Sequence, residues 1–347
     1  MARGNQPLLF LSFLDPNYSR SGVYLNGIRN EEIEYLNIRN NITGMIADLV
    51  KVRKDDAFSN SVVVVMSPCH KMAIFARLFL KQKLILDAGW SLSESTIAHK
   101  SGLISYVQIA RDFAIDFLAF KSATKVVLES SQQVRYISKR FLVKRKKLDY
   151  LYTGLNEQAF YPSKPNPHKR KRNERLQVLF RGKLNSEAGI ENIAKATLLL
   201  KNEPIDFIIQ TNSMLNGITF SANTKVFKNF MSNSEMASLY SRSDICLGQF
   251  SSKSRLKRTI PHKAFESLYF SRCFVTPFSS PLNDLDSGTN SMYFTNGNTP
   301  EAIATALIEL ERDRSLATKI GQNGQQKYNL ELSQSQLALK FVSICCD

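Results

Sequence analysis

The sequence has no run of eighteen or more apolar residues, so it predicts no membrane-spanning helix. Its five cysteines show no metal-ligand spacing, and their odd number is typical of reduced thiols in a cytosolic protein. Acidic residues are scarce, with 30 Asp and Glu against 46 Lys and Arg. These absences argue against a membrane-spanning protein or a zinc module. They leave a cytoplasmic globular protein, with an ordinary apolar share of 43%.

The positive charge is unevenly distributed along the chain. The net charge is +16; residues 1–173 carry 27 Lys and Arg against 14 Asp and Glu, hence +13, and residues 174–347 carry 19 against 16, hence +3. An anionic partner is therefore expected on the first half, whether nucleic acid, acidic phospholipid headgroups or a phosphorylated substrate. For any single basic run, a solvated face without function is the alternative.

Apolar runs typical of buried strands alternate with helical patterns in the first half. The run at 6–14 begins like a signal peptide but lacks a small-residue cleavage site, and we interpret it as the first buried strand. Strands that alternate with helices predict a parallel sheet covered on both faces. The strand candidates of this half are PLLFLSFL, SVVVVMSP, KLILDAG and TKVVLES.

The second half repeats this pattern after a break. The segment PSKPNPHKRKRNER at 162–175 has prolines, positive charge and no apolar face, which is typical of an interdomain linker. The strand candidates after it are LQVLFRG, IDFIIQT, TKVFKNF, SDICLGQF and RCFVTPF. The sequence therefore predicts an α/β protein with two doubly wound Rossmann-like domains facing a cleft. We expect an N-terminal domain over 1–165, a C-terminal domain over 166–330, and a final helix over 331–347 that packs back on the first domain.

In such sheets, ligands lie beyond the carboxyl ends of the strands, where loops and helix N-termini supply N–H groups. One predicted strand ends at Arg181, Gly182 and Lys183, ahead of the loop LNSE and a helix. Two cations beside a glycine at a helix N-terminus suit a diphosphate. A solvated basic turn is the alternative interpretation.

Glu266 is the one carboxylate in the helical pattern HKAFESLYF. Because burial of an unpaired carboxylate is costly, we expect it to accept hydrogen bonds from ribose hydroxyls. The alternative is a structural ion pair with a Lys or Arg of the preceding loop, SSKSRLKR. After the strand TKVFKNF, main-chain groups around Met231 are placed to read a base edge, and Ser232 or Ser234 is expected to cap the next helix.

These stretches of the second half resemble the donor-binding domain of a family 4 retaining glycosyltransferase with the glycosyltransferase B fold. GKLNSEAGIENI is similar to that family's Gly-Arg-Leu segment, LYSRSDICLGQF to a later strand, and KAFESLYFSRCFVTPF to the second half of its Glu-x7-Glu motif. Gly154, Asn156, Phe160 and Pro162 resemble its passage between domains. The resemblance covers 126–278; residues 1–124 match in pattern only.

Several positions depart from the family's pattern. Lys183 stands where arginine is usual, which keeps the charge but loses the bidentate fork. Ala188 replaces the usual phosphate lysine, so other cations would have to supply that contact. Arg258 occupies the position of the first acid of Glu-x7-Glu, while PHKAFE matches a Pro-x-Lys-x-x-Glu form of some members. The candidates for the phosphate contact are Arg181, Lys253 and Lys257.

The resemblance implies transfer of a sugar, with retention, from a nucleoside-diphosphate sugar to a glycan or lipid-linked acceptor in surface polysaccharide or glycolipid assembly. It implies neither a cofactor nor a bound metal. Glu266 would hold the donor ribose, and cations would stabilise the charge of the leaving diphosphate. The predicted donor-binding residues are Arg181, Gly182, Lys183, Met231, Arg258, Lys263 and Glu266.

Three residues of the first half are candidates for the acceptor side. Gly22, in SRSGVYLNG, is predicted to begin a helix at the loop that faces the donor in this family. Asp87 ends the strand KLILDAG, and His70 follows SVVVVMSPC, so either is a candidate catalytic group that contacts the acceptor hydroxyl or the transferred sugar. Capping roles are the alternatives for both.

The basic first half also suits an enzyme that works on a lipid-linked acceptor, peripherally bound at the inner face of the cytoplasmic membrane. The segment RYISKRFLVKRKK at 135–147 places cations around Tyr136, Ile137, Phe141 and Leu142, as in an interfacial helix. The alternative is a solvated helix that packs this stripe inward.

Three other functions are compatible with parts of the sequence. A catalytically inactive glycosyltransferase-like partner subunit fits Ala188 and Arg258. A nucleic-acid-binding protein fits HKRKRNER at 168–175, but not two strand–helix domains, so no nucleic-acid partner is expected. A sugar-nucleotide epimerase of the same fold is disfavoured, because the recognisable stretches match transferases.

Overall fold

The computed structural model describes residues 6–28, 33–99, 102–160, 174–215 and 217–346. The chain divides into two compact units, one formed by Met1–Asn156 with Gln334–Asp347 and the other by Glu157–Ser333. The predicted linker at 162–175, which begins with Pro162, lies outside the described residues except for Glu174 and Arg175.

The first unit is built on a parallel six-stranded sheet with the order β2-β1-β3-β4-β5-β6. Its strands are β1 (Leu8–Ser12), β2 (Ile33–Asn37), β3 (Val62–Val65), β4 (Leu84–Gly89), β5 (Lys125–Leu128) and β6 (Leu148–Tyr150). Its helices are α1 (Ser19–Gly27), α2 (Ile42–Lys54), α3 (His70–Phe79), α4 (Leu92–His99), α5 (Leu103–Ser122), α6 (Ser131–Arg140) and a C-terminal helix (Gln334–Cys346).

Both faces of this sheet are buried, which explains the unbroken apolar runs of its strands. Successive β1 residues enter two different apolar clusters, Leu9 and Leu11 on one face and Leu8 and Phe10 on the other. Such burial on both sides is typical of a parallel sheet between helices.

The second unit contains another parallel six-stranded sheet, in the order β12-β11-β10-β7-β8-β9. Its strands are β7 (Leu176–Arg181), β8 (Ile205–Gln210), β9 (Thr224–Phe227), β10 (Ile245–Leu247), β11 (Cys273–Pro277) and β12 (Tyr293–Thr295). Its helices are α7 (Glu157–Phe160), α8 (Ile190–Leu199), α9 (Asn233–Arg242), α10 (His262–Tyr269), α11 (Ser280–Asp286), α12 (Pro300–Arg312) and α13 (Arg314–Lys327), followed by a π-helical turn (Tyr328–Leu332). The predicted α/β class and the five predicted strands of this half are confirmed, and β12 is added to them.

The prediction of an interfacial apolar stripe at 135–147 is wrong. Ile137 and Phe141 are completely buried in the core of the first unit, and Tyr136 packs against that core. Only Leu142 of the four faces solvent. The alternative, that the stripe packs inward, is confirmed, because the amphipathic face of α6 covers the sheet.

Gly22 also differs from its prediction, since it lies inside α1 and not at its start or in a loop. A side chain there would stand 2.7 Å from the main-chain oxygen of Asn17, so glycine permits a close backbone approach. This packing requirement accounts for the glycine without a ligand.

None of the helices in the described ranges has the length and apolar character needed to cross a membrane. Within the same ranges, no three His, Cys, Asp or Glu side chains are grouped so that they could hold a metal ion. The expectation that the chemistry requires no metal stays a prediction.

Candidate functional site

The sheet of the second unit changes direction at β7. From this central strand the chain adds β8 and β9 on one side, then returns to add β10, β11 and β12 on the other. Connections that leave two neighbouring strands in opposite directions open a crevice at the carboxyl ends of those strands. The candidate site therefore lies at the ends of β7 and β10.

Arg181, the last residue of β7, forms an ion pair with Glu266 of α10 at this position. The Arg181 Nη1 and Glu266 Oε1 atoms are 2.7 Å apart, and the Tyr240 hydroxyl donates a hydrogen bond of 2.5 Å to the other carboxylate oxygen. Glu266 is buried, whereas 34% of the Arg181 side chain is exposed. Glu266 and Tyr240 thus hold the guanidinium in place while part of it stays accessible.

This arrangement answers why α10 carries a carboxylate among apolar residues. The expected structural ion pair exists, but its partner is Arg181 from a distant strand and not a cation of the preceding loop. Burial raises the pKa of Tyr240 well above its usual value, so this phenol keeps its proton and donates to Glu266. The Glu266 charge in turn raises the pKa of Arg181. The ribose-binding role of Glu266 stays a prediction.

Lys263 lies one turn before Glu266 on the same helix and is buried beside the ion pair. Its ammonium lies 3.9 Å from the centre of the Phe180 ring, a cation–π contact. Among the described residues, no hydrogen bond or ion pair holds this ammonium. Burial and the nearby Arg181 charge lower the pKa of Lys263 to about 7, although Glu266 opposes the shift. A buried lysine without a hydrogen bond, beside a half-exposed guanidinium, is chemically suited to meet an anion, and we call the position of Arg181 and Lys263 the anion site.

Gly182 separates these two cations from the following loop. Its φ of +145° is one that residues with a side chain rarely adopt, and a Cβ there would lie 3.4 Å from the Lys263 nitrogen. Glycine therefore lets the main chain turn sharply over the ammonium. Of the predicted donor-binding residues, the structure brings Arg181, Gly182, Lys263 and Glu266 together.

The loops after β7 and β10 are fastened to each other. The Phe250 amide donates to the Ala188 carbonyl at 3.0 Å, and Arg255 pairs with Glu187 at 3.0 Å. Gly189, at φ +65°, lets the two backbones touch, because a Cβ there would lie 2.2 Å from the Phe250 carbonyl carbon. The walls of the crevice are thus preformed by contacts within this unit.

The remaining predicted donor residues lie in the adjoining loops. Lys183 is exposed, Met231 is half-buried ahead of α9, and Arg258 is half-buried after a short 3-10 turn. No described hydrogen bond joins Lys183 or Met231 to the Arg181–Glu266 pair. The predicted cap of α9 is confirmed as Ser232, which forms a capping box with Glu235.

In the first unit, Asp87 is engaged by a buried arginine. Both carboxylate oxygens accept hydrogen bonds from Nε of Arg20, at 2.8 and 3.0 Å, and neither side chain is appreciably exposed. Arg20 also donates to the carbonyls of Leu128 and Leu151. Burial raises the pKa of Asp87, and the Arg20 charge opposes that shift. The predicted catalytic role stays a prediction, but the buried pair serves to join β4, β5 and α1.

His70, the other predicted catalytic group, begins α3 and is completely buried. Its Nε2 atom lies 3.0 Å from the Trp90 carbonyl, and its ring packs edge-on to Phe120. Nδ1 has no hydrogen-bond partner among the described residues. A side chain without exposed surface cannot touch a substrate in this conformation, so the role predicted for His70 is also left without structural support.

Sequence reasoning missed Tyr240 and Phe180, the two aromatic residues that hold Glu266 and Lys263. The sequence pattern indicates only an ordinary buried strand residue for Phe180 and a position on the apolar face of α9 for Tyr240. Their roles depend on contacts with residues 26 and 83 positions away in the chain, for which the sequence carries no signal.

Comparisons with known proteins identify the fold. No family model matches the chain, and no curated protein matches it. Solved structures do match over nearly the whole length. A glycosyltransferase from Rickettsia africae shares 14% identity at a TM-score of 0.69, covering 98% of both chains. HepE of Anabaena, in complex with UDP, shares 11% at 0.72, over 97% of this chain and 99% of that one. Sucrose-phosphate synthase from Thermosynechococcus elongatus shares 12% at 0.70, over 98% of both.

At these identities the likeness establishes the fold alone. The two parallel six-stranded sheets have the glycosyltransferase B architecture, as the resemblance of the second half implied.

Proposed function

We propose that the protein is a glycosyltransferase that moves a sugar from a nucleoside-diphosphate sugar to a glycan or lipid-linked acceptor, with retention. The observation that supports this most directly is the anion site of the second unit, where Arg181 and Lys263 converge at the crevice beside β7 and β10. The fold supports it independently, since HepE of Anabaena, which shares the fold, was solved with UDP and with UDP-glucose.

A diphosphate is the ligand whose charge fits this site best. Two cations meet there, and one of them, Lys263, is buried without a compensating carboxylate of its own. Glu266 already pairs with Arg181, so a bound anion would supply the negative charge that keeps the Lys263 ammonium protonated. The partly exposed Arg181 guanidinium, which Glu266 holds in place, presents its remaining donors to phosphate oxygens with little loss of entropy.

The same cations would act on the reaction. The bond between the anomeric carbon and the phosphate oxygen breaks, and its electron pair leaves with the diphosphate. The acceptor oxygen forms the new bond on the face that the diphosphate left, and the departing phosphate oxygen accepts the proton of the acceptor hydroxyl. Positioned cations stabilise the charge that develops on the departing oxygen, and they do so most strongly where water is excluded. Lys263, beside Arg181, is placed for this role.

Lys263 also offers a replacement for the phosphate lysine that the resemblance leads one to expect at position 188. Ala188 is buried under Phe250, in the apolar core of the second unit, so no charge enters the site from that position. Lys263 supplies a cation from α10, beside Gly182. The departure at Ala188 is therefore compatible with an active enzyme, and binding without turnover would favour the inactive partner subunit.

We further propose that the first unit binds an anionic membrane surface, where a lipid-linked acceptor for surface polysaccharide or glycolipid assembly would be found. Tyr106, Val107 and Leu118 of α5 are 70%, 73% and 50% exposed, and the last two share one helix face because they are three turns apart. At the end of that face, Lys121 donates to the Leu142 carbonyl and Lys147 to the Lys121 carbonyl, which places two cations beside exposed apolar side chains.

Vesicle co-sedimentation tests this membrane surface. The protein should sediment with phosphatidylglycerol-containing vesicles, less so at high salt, and not with pure phosphatidylcholine. The double variant Val107→Glu/Leu118→Glu should lose the binding. Leu199→Glu, at an exposed apolar position of the second unit, should keep it. Equal sedimentation of both variants with the wild type would exclude α5 as the contact.

A thermal-shift screen tests the donor. A ligand that binds only the folded protein raises the melting temperature by mass action. We expect one of UDP, GDP, ADP or CMP, alone or as a sugar conjugate, to stabilise the protein, and Glu266→Gln to weaken the response because Arg181 loses its anchor. No response to any nucleotide, with stabilisation by an oligonucleotide instead, would overturn the proposal in favour of nucleic-acid binding.

A further inference from the structure

A separate cavity of about 240 Å³ lies at the carboxyl ends of β10, β11 and β12. None of Arg181, Gly182, Lys263 and Glu266 lines this cavity. The loop after β10 contributes most of the wall, and the ends of β11 and β12 close it. Its lining includes Gln249, Lys253, Lys257, Phe278, Ser279 and Asn298.

The walls of this cavity are fixed in place by contacts beneath it. The side-chain amide of Asn192 donates to the carbonyls of Phe250 and Asn298, at 3.0 and 2.8 Å, and so ties the loop after β10 to the loop after β12. At the end of β10, Gly248 packs so closely that a Cβ would lie 2.5 Å from the Thr276 hydroxyl. A pocket with preformed walls binds a ligand more tightly, because no conformational entropy is lost in ordering the walls.

The polar groups of the cavity favour a ligand with negative charge. Among the described residues that line it there are two lysines, several hydroxyls and amides, and no Asp or Glu. Lysine ammonium groups only donate hydrogen bonds. The hydroxyl oxygen of Ser279 is buried and has no partner within the described part of the chain. The site thus offers donors and positive charge, and a phosphate or carboxylate would satisfy both.

Size and shape limit the rest of the ligand. Pockets for drug-sized molecules run from about 300 to 1,000 Å³, so this cavity suits a single sugar ring better than a whole nucleotide sugar. The Phe278 ring is 61% exposed and is braced edge-on by Phe294 at 5.6 Å, which gives the cavity a fixed aromatic face. Such a face packs against the C–H side of a pyranose ring while its hydroxyls meet the polar wall.

From this combination we propose that the cavity is a second binding site, for one anionic sugar unit that carries a phosphate or a carboxylate. It is distinct from the anion site of Arg181 and Lys263, because neither of these residues lines it. It also gives a role to Lys253 and Lys257 of the basic loop SSKSRLKR.

Titration of the intact protein with three probes tests the site and distinguishes the two sources of charge. Glucose 6-phosphate and glucuronate present the phosphate and the carboxylate, and glucose is the uncharged control. We expect at least one anionic probe to bind at least tenfold more tightly than glucose, whether or not UDP is present. The double variant Lys253→Gln/Lys257→Gln should lose this binding, whereas Lys319→Gln, on an exposed face of α13, should keep it.

The outcomes separate this proposal from the donor proposal. Binding of the sugar probe without any response to nucleotides would support the cavity site and refute the donor site. A response to nucleotides without binding of any sugar probe would support the donor site and refute the cavity site. The proposal is wrong if no anionic probe binds, if UDP displaces the probe competitively, or if Lys319→Gln weakens binding as much as the double variant does. Phe278→Ala, at an exposed ring, should weaken the anionic probe without altering UDP affinity.

Discussion

Between pH 7 and pH 9, the affinity for a nucleoside diphosphate is expected to fall about 50-fold, because the Lys263 ammonium is lost over this range in the free protein but required in the complex. Burial, and then the charge of Arg181, lower the pKa of Lys263 to about 7, while Glu266 opposes the shift. Cys246, the other titratable group near it, keeps its proton throughout, because burial raises its pKa to about 12.

The decrease of affinity with pH follows from the protonation states of Lys263 in the free and the diphosphate-bound protein. A bound diphosphate raises the Lys263 pKa, so binding takes up a proton wherever the free lysine is neutral, and affinity decreases as pH rises through 7. The second ionisation of a phosphate is complete above about pH 7 and does not reverse this trend. The stability of the free protein moves the other way: the unfolded chain binds the Lys263 proton more tightly, so stability rises from pH 7 towards pH 10.

Calorimetric titration at pH 7, 8 and 9 in buffers of different ionisation enthalpy measures both quantities. We expect uptake of about one proton per diphosphate at pH 8. Lys263→Met should bind weakly at every pH and take up none. Lys195→Gln, exposed on α8, is the matched control and should behave as the wild type does. An affinity that is flat from pH 7 to pH 9 in the wild type would show that Lys263 does not contact the diphosphate.

Replacement of Asp87 by asparagine should destabilise the first unit by about 3–5 kcal/mol, the usual cost of breaking a buried ion pair. The substitution removes the carboxylate that pairs with the Arg20 guanidinium. Because neither side chain has appreciable exposure, water cannot replace that charge. Removing one partner of a buried ion pair destabilises the fold more than removing both, because the remaining charge stays buried without compensation. The double variant Arg20→Met/Asp87→Leu should therefore recover part of the loss.

The single tryptophan of the chain makes this measurement specific to one unit. Trp90 follows β4 directly, so its fluorescence during urea unfolding reports the first unit. Asp48→Asn is the control, since the Arg39–Asp48 pair is exposed and such pairs contribute about 1 kcal/mol or less. If Asp87→Asn and Asp48→Asn shift the transition equally, the buried pair does not stabilise the unit as described.

The fold was largely predictable because its signals are local. The valines of β3 and the five apolar runs of the second half identify strands through composition alone, and their alternation with helices dictates a parallel sheet. β12 escaped prediction because only one of its three residues, Thr295, is buried, whereas all three residues of the equally short β10 are buried. The stripe of α6 was ambiguous because amphipathicity does not say whether a helix meets lipid or its own sheet.

The site was predictable only in part, since its chemistry depends on tertiary contacts. The positions of Arg181 and Gly182 at a strand end, and of Glu266 inside the helix that follows the basic loop, could be recognised from the sequence. That Arg181 pairs with Glu266, 85 residues away, could not. Nor could the sequence show that Lys263 is buried while Lys183 is exposed, because burial of a lysine depends on what surrounds it in the fold.

The most direct test of the donor site is a calorimetric titration of UDP and UDP-glucose, at pH 7, into the wild type and the double variant Arg181→Met/Glu266→Gln. The double variant removes both members of the ion pair, so neither charge is left buried and unpaired. We expect one ligand per chain in the wild type and an affinity at least a hundredfold lower in the variant, at an unchanged melting temperature of the second unit. If the folded variant binds as tightly as the wild type does, the Arg181–Lys263 site is not the donor site.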